Sequence, residues 1–140
     1  MRSKAPAPKE RLGIVKIVVL AARILLGLAF LIFGLNGFLH FFPAPPMSGL
    51  VATFLGVLAS SHYYVLIFAV QAIAGILLLT DQYVTLALTM LAAVLANIFT
   101  FHITMQPQGL PLPIVVTVLW FIVAWSRRSQ FAALLARKPI

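Results

Sequence analysis

The segment that decides the fold is IVVLAARILLGLAFLIFGLNGFL, residues 17–39, in which Arg23 is the single charged side chain. A signal-peptide core has about 7–15 apolar residues, whereas a helix that crosses the ~30 Å hydrocarbon layer needs about 20. The segment therefore predicts a retained membrane-spanning helix. Because helical side chains lean toward the N-terminus, the Arg23 guanidinium can reach the interface at the start of this helix.

The rest of the chain shares this apolar character. Hydrophobic residues make up 63% of the 140 residues and charged residues 9%, and the mean hydropathy is +1.11. Soluble domains are about 45–50% apolar and about 25% charged, so this composition excludes an ordinary soluble domain and also a disordered chain. The chain has no cysteine, which excludes disulfides, thiolate catalysis and cysteine-bound metal clusters within it.

The positive charge lies at the two ends of the chain. No lysine or arginine occurs between Arg23 and Arg127, and Asp81 is the one acidic residue in that interval. Basic flanks around apolar segments indicate cytoplasmic termini, whereas nucleic-acid binding needs a basic stripe on a folded surface. We therefore expect a multi-pass protein of the bacterial inner (plasma) membrane with both termini cytoplasmic. Anionic lipid headgroups are the expected partners of both basic tails, and no nucleic-acid partner is expected.

Three further apolar segments are candidate membrane spans: residues 64–80, 83–101 and 110–125. Prolines at positions 43, 45 and 46 end the first span, because proline lacks a backbone donor and disfavours helix in the residues before it. The apolar piece that follows, within residues 47–61, is too short to cross the bilayer. It predicts an interfacial or re-entrant helix.

These segments predict an all-α fold, a polytopic membrane four-helix bundle with a short interfacial or re-entrant helix between the first and second spans. The predicted divisions are a basic cytoplasmic tail over 1–16, a transmembrane domain over 17–126 and a second basic cytoplasmic tail over 127–140. Glycines such as Gly34 and Gly75 are expected to permit close helix packing.

Polar side chains within the spans are the candidate functional residues, because polar groups in lipid are costly and usually face the bundle interior. At about 1.5 Å per residue, Asn36, Gln71 and Asn97 all lie about 20–22 Å above the inner membrane edge. Thr117 is near the same height, and His40 is one turn above Asn36. This amide layer either lines an outward-opening polar pocket or joins the helices by hydrogen bonds worth roughly 1 kcal/mol or less per pair.

The same residues argue against chemistry by the chain alone. Paired carboxylates are absent, and His40, His62 and His102 have no cysteine or carboxylate on their side of the membrane to complete a zinc site. We predict no catalytic residue and no metal site. Arg23 is expected either to snorkel to anionic headgroups or to pair with Asp81, which lies near the same face.

Several short segments resemble the DoxX family of small bacterial membrane proteins. They are residues 22–30, 33–38, 41–43, 45–47, 71–79, 97–98, 101–102 and 108–111. Their order and spacing carry the resemblance over about residues 20–126. It implies a four-helix membrane bundle associated with membrane redox complexes, since the family name comes from subunits linked to thiosulfate:quinone oxidoreduction. Many members carry an acid at the position of Gln71, so a proton-linked role is not carried over to this chain.

The sequence is compatible with three functions. The first is a non-catalytic subunit or scaffold of a membrane redox complex that holds a quinone or a lipid, since amides can hydrogen-bond a quinone carbonyl. The second is a membrane chaperone or assembly factor that binds membrane protein partners through helix–helix contacts. The third is a small transporter, which the scarcity of pore-lining polar groups disfavours. Nothing in the sequence requires a cofactor, a quinone included.

Overall fold

The computed structural model describes residues 6–138, and its regular elements within them are all helical. The α-helices are α1 (Pro8–Leu39), α2 (Gly49–Ser60), α3 (Tyr64–Leu79), α4 (Val84–Met105), α5 (Pro111–Ser126) and α6 (Arg128–Leu134), with a 3-10 turn at Pro107–Gly109 between α4 and α5. The predicted all-α class is confirmed. The first five residues and the last two of the predicted basic tails lie outside the described residues.

The first helix begins at Pro8 rather than at residue 17. Proline is well placed in a first helical turn, where its missing N–H would have no helical partner. The Glu10 carboxylate accepts a hydrogen bond from the Ala7 N–H at 3.0 Å, which satisfies one further donor at the helix start. Residues 8–16, which the sequence places in the basic tail, are therefore an exposed extension of the same helix.

Two helices, α1 with 32 residues and α4 with 22, are long and apolar enough to cross a membrane. The helices α3 and α5 have 16 residues each, or about 24 Å. Each is joined at a sharp bend to a short helix, α2 to α3 at 84° and α5 to α6 at 83°. By length and composition, the structure has two candidate spans, or up to four if each bent pair is one span.

Four of the helices surround one apolar core. α1 contacts α3 and α5, and α4 contacts the same two helices, so the four follow one another in cyclic order. Every one of them contributes a fully buried large side chain to this core: Leu26, Leu78, Leu88, Leu91 and Val123. An interior site must therefore be built from the inward faces of these four helices.

Glycines set the close approach of α1 and α3. A Cβ added at Gly34 would lie 2.5 Å from the backbone nitrogen of Ala72, and a Cβ added at Gly75 would lie 2.6 Å from the backbone nitrogen of Leu31. Both contacts are with backbone, which cannot rotate aside as a side chain can. Small residues thus fix the distance between these helices, as expected from the sequence.

The short helix α2 lies at the end of the bundle where α3 begins. None of its residues is buried, and it reaches α4 through Phe54, whose ring centroid is 5.8 Å from that of Phe101. A short, exposed, apolar helix almost perpendicular to α3 has the shape expected of an interfacial segment.

Candidate functional site

A cavity of about 230 Å³ lies among the four core helices. All four contribute to its wall, which is formed by Ala29, Phe30 and Phe33 of α1, Phe68 and Gln71 of α3, Leu95, Ile98 and His102 of α4, and Leu112, Pro113 and Val116 of α5. Two of these side chains are polar, those of Gln71 and His102. The cavity is therefore an apolar chamber with one amide and one imidazole in its wall.

Gln71 places a buried amide in this apolar wall. The residue is only 6% exposed. Within residues 6–138 its amide has no hydrogen-bond partner, and its polar atoms keep some access to the cavity that the residue borders. A buried polar group without a partner costs about 1–3 kcal/mol. Because an amide offers both N–H donors and a carbonyl acceptor, Gln71 can hydrogen-bond a carbonyl or hydroxyl group placed in the cavity.

His102 is held in one orientation near the end of α4. Its Nδ1 lies 2.8 Å from the carbonyl oxygen of Ile98. Because a carbonyl only accepts, we assign the proton of the neutral ring to Nδ1, which leaves Nε2 as an acceptor. Gly109 packs directly on the ring, since a Cβ at that position would lie 2.6 Å from Nε2. The ring is therefore fixed between α4 and the 3-10 turn.

Asn36 and His40 complete the end of α1 and do not border the cavity. The Oδ1 of Asn36 accepts a hydrogen bond from the Phe42 N–H at 2.8 Å, and the His40 N–H donates to the Asn36 carbonyl at 2.9 Å. His40 is exposed and has a left-handed φ of 52°. The cavity therefore does not include these residues, because the Asn36 side chain is bonded to the backbone of the segment before the prolines.

Asn97 lies on the outer face of α4. It is exposed, and its Nδ2 donates to the Ala93 carbonyl at 2.9 Å. Thr100 and Thr104 likewise donate to the carbonyl four residues earlier. Such bonds satisfy polar side chains on a helix face where water is absent. The structure therefore does not bring the three amides together, and Gln71 alone among them borders the cavity.

Thr117 follows the cavity residue Val116 but does not itself border the cavity. It is half-buried, and in the described part of the chain its Oγ1 has neither a hydrogen-bond partner nor contact with solvent. Its neighbour Val116, one position earlier on α5, faces the chamber instead.

His102 borders the cavity, although a comparison of residue heights along the helices does not identify it. The buried positions of α4 are Val84, Ala87, Leu88, Leu91, Val94 and Leu95, and they form a stripe with helical periodicity. Extended by one to two turns, the stripe reaches Ile98 and His102, whereas Asn97 lies about 120° away from it. Placing the polar residues relative to the apolar stripe identifies His102 as the inward-facing one.

A charge cluster lies near the other end of the bundle. Both Arg23 Nη1, at 3.4 Å, and Arg127 Nη2, at 3.0 Å, contact the Oδ1 of Asp81. Arg23 also donates to the backbone carbonyl of Leu78 in the last turn of α3. The Arg23 side chain is only 12% exposed, and it pairs with Asp81, which is one of the two arrangements expected from the sequence. The cluster joins α1, α3 and the α5–α6 bend.

We expect Asp81→Asn to lower the free energy of unfolding by about 1–2 kcal/mol, between the effects typical of exposed and of buried ion pairs. The physical reason is that asparagine keeps the size of the side chain but leaves the largely buried Arg23 without a counter-ion. Denaturant unfolding in detergent micelles measures the change. Glu10→Gln, at the exposed start of α1, is the matched control and should change stability by less than about 0.5 kcal/mol. Equal stability of the two variants would contradict the proposed contribution of the cluster.

The polar groups around the cavity are suited to hydrogen bonding with a bound molecule. In the part of the chain that the structure describes, no three His, Asp or Glu side chains come together in a way that could hold a metal ion. Comparisons of the chain with protein-family models, with curated proteins and with solved structures found no match.

Proposed function

We propose that this protein spans a bacterial inner membrane four times and holds a small uncharged molecule from the lipid phase in its cavity, as a non-catalytic subunit of a membrane redox complex. The observation that carries the binding proposal is the side chain of Gln71, a buried residue whose amide borders an apolar cavity and has no hydrogen-bond partner within residues 6–138. A bound molecule with a carbonyl or hydroxyl group would supply the missing hydrogen bond.

The cavity chemistry favours a quinone ring over a lipid chain. An acyl chain would fill the apolar wall but leave the amide of Gln71 unpaired, whereas a quinone carbonyl accepts from its N–H group. The volume of about 230 Å³ lies below the ~300–1,000 Å³ of typical ligand sites. It therefore suits a single substituted ring rather than a whole lipid. The place in a redox complex rests on this quinone chemistry and on the resemblance to the DoxX family.

Four crossings are supported by the packing and the charge distribution. The helices α3 and α5 lie against the two long helices, and a bilayer can thin locally around a span of about 24 Å. Arg23, Asp81 and Arg127 meet at one end of the bundle, which puts the N-terminal half of α1 and the end of α5 on the same side. The positive-inside rule makes that side cytoplasmic.

Topology gives the first expected outcome. A phosphatase fused after residue 138 should be inactive, because it stays in the cytoplasm, whereas one inserted between Gln106 and Gly109 should be active on the outer side. A cytoplasm-dependent fluorescent reporter at the same two positions should give the opposite pattern. Phosphatase activity at the C-terminus would overturn the four-span arrangement.

The role as a subunit is tested by isolating the chain from its native membranes with a C-terminal tag. We expect it to bring down membrane proteins that include a quinone-dependent oxidoreductase, and we expect deletion of the chain to reduce that activity in the membranes. The control is Gly75→Leu with the same tag, because we expect this variant to misfold. Proteins that it also brings down bind to a misfolded apolar chain and not to the native protein. Isolation of the folded chain with no redox protein, together with unchanged activity after deletion, would contradict the proposed role.

A further inference from the structure

We infer that the cavity is filled sideways from the membrane, through an opening between α1 and α5, by a single-tailed uncharged molecule that enters with its polar ring first. This inference rests on the proposed function, because it assigns the entry route and the shape of the molecule that Gln71 binds.

The exposure of the wall residues locates the opening. Phe33 on α1 is 41% exposed and Leu112 on α5 is 53% exposed, although both line the cavity. Phe30 and Leu95, which line the same cavity, are 3% and 5% exposed. Phe33 and Leu112 are the two exposed residues of the wall, and the wall residues on α3 and α4 are buried or half-buried. Since α1 and α5 are neighbours in the ring of helices, we place the opening between them.

The end of the cavity toward the 3-10 turn is covered. The ring of His102 packs against Gly109 of that turn, and Pro113 in the first turn of α5 is buried. Just beyond, the Nε2 of Gln106 donates to the Sδ of Met47, which ties the α4–α5 connection to the segment before α2. A molecule from the aqueous phase would have to displace this cover, whereas one dissolved in lipid would meet the opening directly.

The position of Gln71 determines how the molecule is oriented. Its amide lies on α3, a helix that does not flank the opening, and it is 6% exposed. The two side chains at the opening, Phe33 and Leu112, are apolar. A molecule with a carbonyl-bearing ring and an alkyl or prenyl tail therefore fits the whole cavity. Its ring carbonyl accepts a hydrogen bond from Gln71, and its tail lies between Phe33 and Leu112. The absence of any lysine or arginine between Arg23 and Arg127 leaves no permanently charged cation to bind an anionic ligand there.

Exchange of a bound probe tests the route. The protein is placed in lipid vesicles with a deuterated decyl-substituted benzoquinone, unlabelled probe is added, and the labelled fraction retained on the protein is followed by mass spectrometry. Leu112→Trp should slow exchange by about tenfold or more, because the larger ring narrows the opening. Val115→Trp is the control, since Val115 is 57% exposed on the same helix but does not line the cavity. Its exchange rate should stay within about twofold of wild type.

A second variant and a competing ligand distinguish failure of the entry route from failure of the proposed function. Phe33→Trp narrows the opening from α1 and should reproduce the slow exchange even if Leu112→Trp does not fold. A sulfonated benzoquinone without a tail should not compete for the site. Exchange at the wild-type rate in both tryptophan variants would overturn the sideways route while leaving the proposed function in place. Equal competition by the sulfonated ring would overturn both the route and the preference for an uncharged, tailed molecule. Failure of the wild-type protein to retain any probe would overturn the proposed function and this inference together.

Discussion

Gly75→Leu is expected to cost about 3 kcal/mol of stability and to leave little folded protein. Even the first carbon of the new side chain would lie 2.6 Å from the backbone nitrogen of Leu31 and 2.8 Å from the carbonyl oxygen of Gly27. Both atoms belong to the backbone of α1, so relief requires the helices to separate. That separation would also open the core between α1 and α3.

The control for this substitution is Gly56→Leu, on the exposed helix α2. A Cβ at Gly56 meets nothing within 4 Å, so this variant should remain within about 1 kcal/mol of wild type. Both variants are compared by the yield of monodisperse protein in detergent and by denaturant unfolding of the folded fraction. If Gly75→Leu were as stable as Gly56→Leu, the close packing of α1 on α3 would be wrong.

The second large effect is expected for Gln71→Leu. The sign of its change in the free energy of unfolding distinguishes a residue that binds a ligand from one that joins helices. In ligand-free detergent the variant should be as stable as wild type, or more stable by about 1–2 kcal/mol, because it replaces an unpaired buried amide with an apolar side chain. An amide that joined helices would instead lose roughly 1 kcal/mol on substitution. At the same time, the affinity for a decyl-substituted benzoquinone should fall by about tenfold or more, since a hydrogen bond worth about 1.4 kcal/mol corresponds to that factor.

Asn97→Leu is the matched control, because it makes the same kind of change on the outer face of α4. Within residues 6–138 its amide bonds the Ala93 carbonyl alone, and it does not border the cavity, so the variant should bind the probe as wild type does. Unfolding curves with and without the probe measure both quantities, since a ligand that binds the folded state raises apparent stability according to its affinity. A loss of stability in Gln71→Leu with unchanged probe affinity would assign Gln71 to packing.

Much of the helical organisation follows from the sequence because it depends on features spaced along the chain. The ends of the helices are marked by the ends of the apolar runs, by the prolines at 43, 45 and 46 and by the Asp81 turn. Helices of the structure begin or end near these positions. The glycines of α1 and α3 correctly indicate close packing. The helical start at Pro8 was missed because a basic, proline-containing segment looks irregular when its capping by Glu10 is not considered.

The site was harder to predict, because it depends on the rotation of each helix as well as on height. Asn97 has the right height and the wrong face, whereas His102 continues the buried stripe of α4. Asn36 was misplaced for another reason, since its side chain satisfies the Phe42 N–H in the reversal after α1. The pairing of Arg23 with Asp81 could be foreseen as one of two alternatives, but the added contact of Arg127 depends on the bend between α5 and α6.

The central claim is that the buried amide of Gln71 holds one lipid-phase molecule inside the helical bundle, and native mass spectrometry of the protein released from its own membranes tests this most directly. The wild-type protein and Asn97→Leu should each carry one bound uncharged molecule per chain that fragments as a carbonyl-bearing ring with an apolar tail. Gln71→Leu, equally folded, should be released without it. The same adduct on all three proteins, or none on the wild type, would contradict the claim.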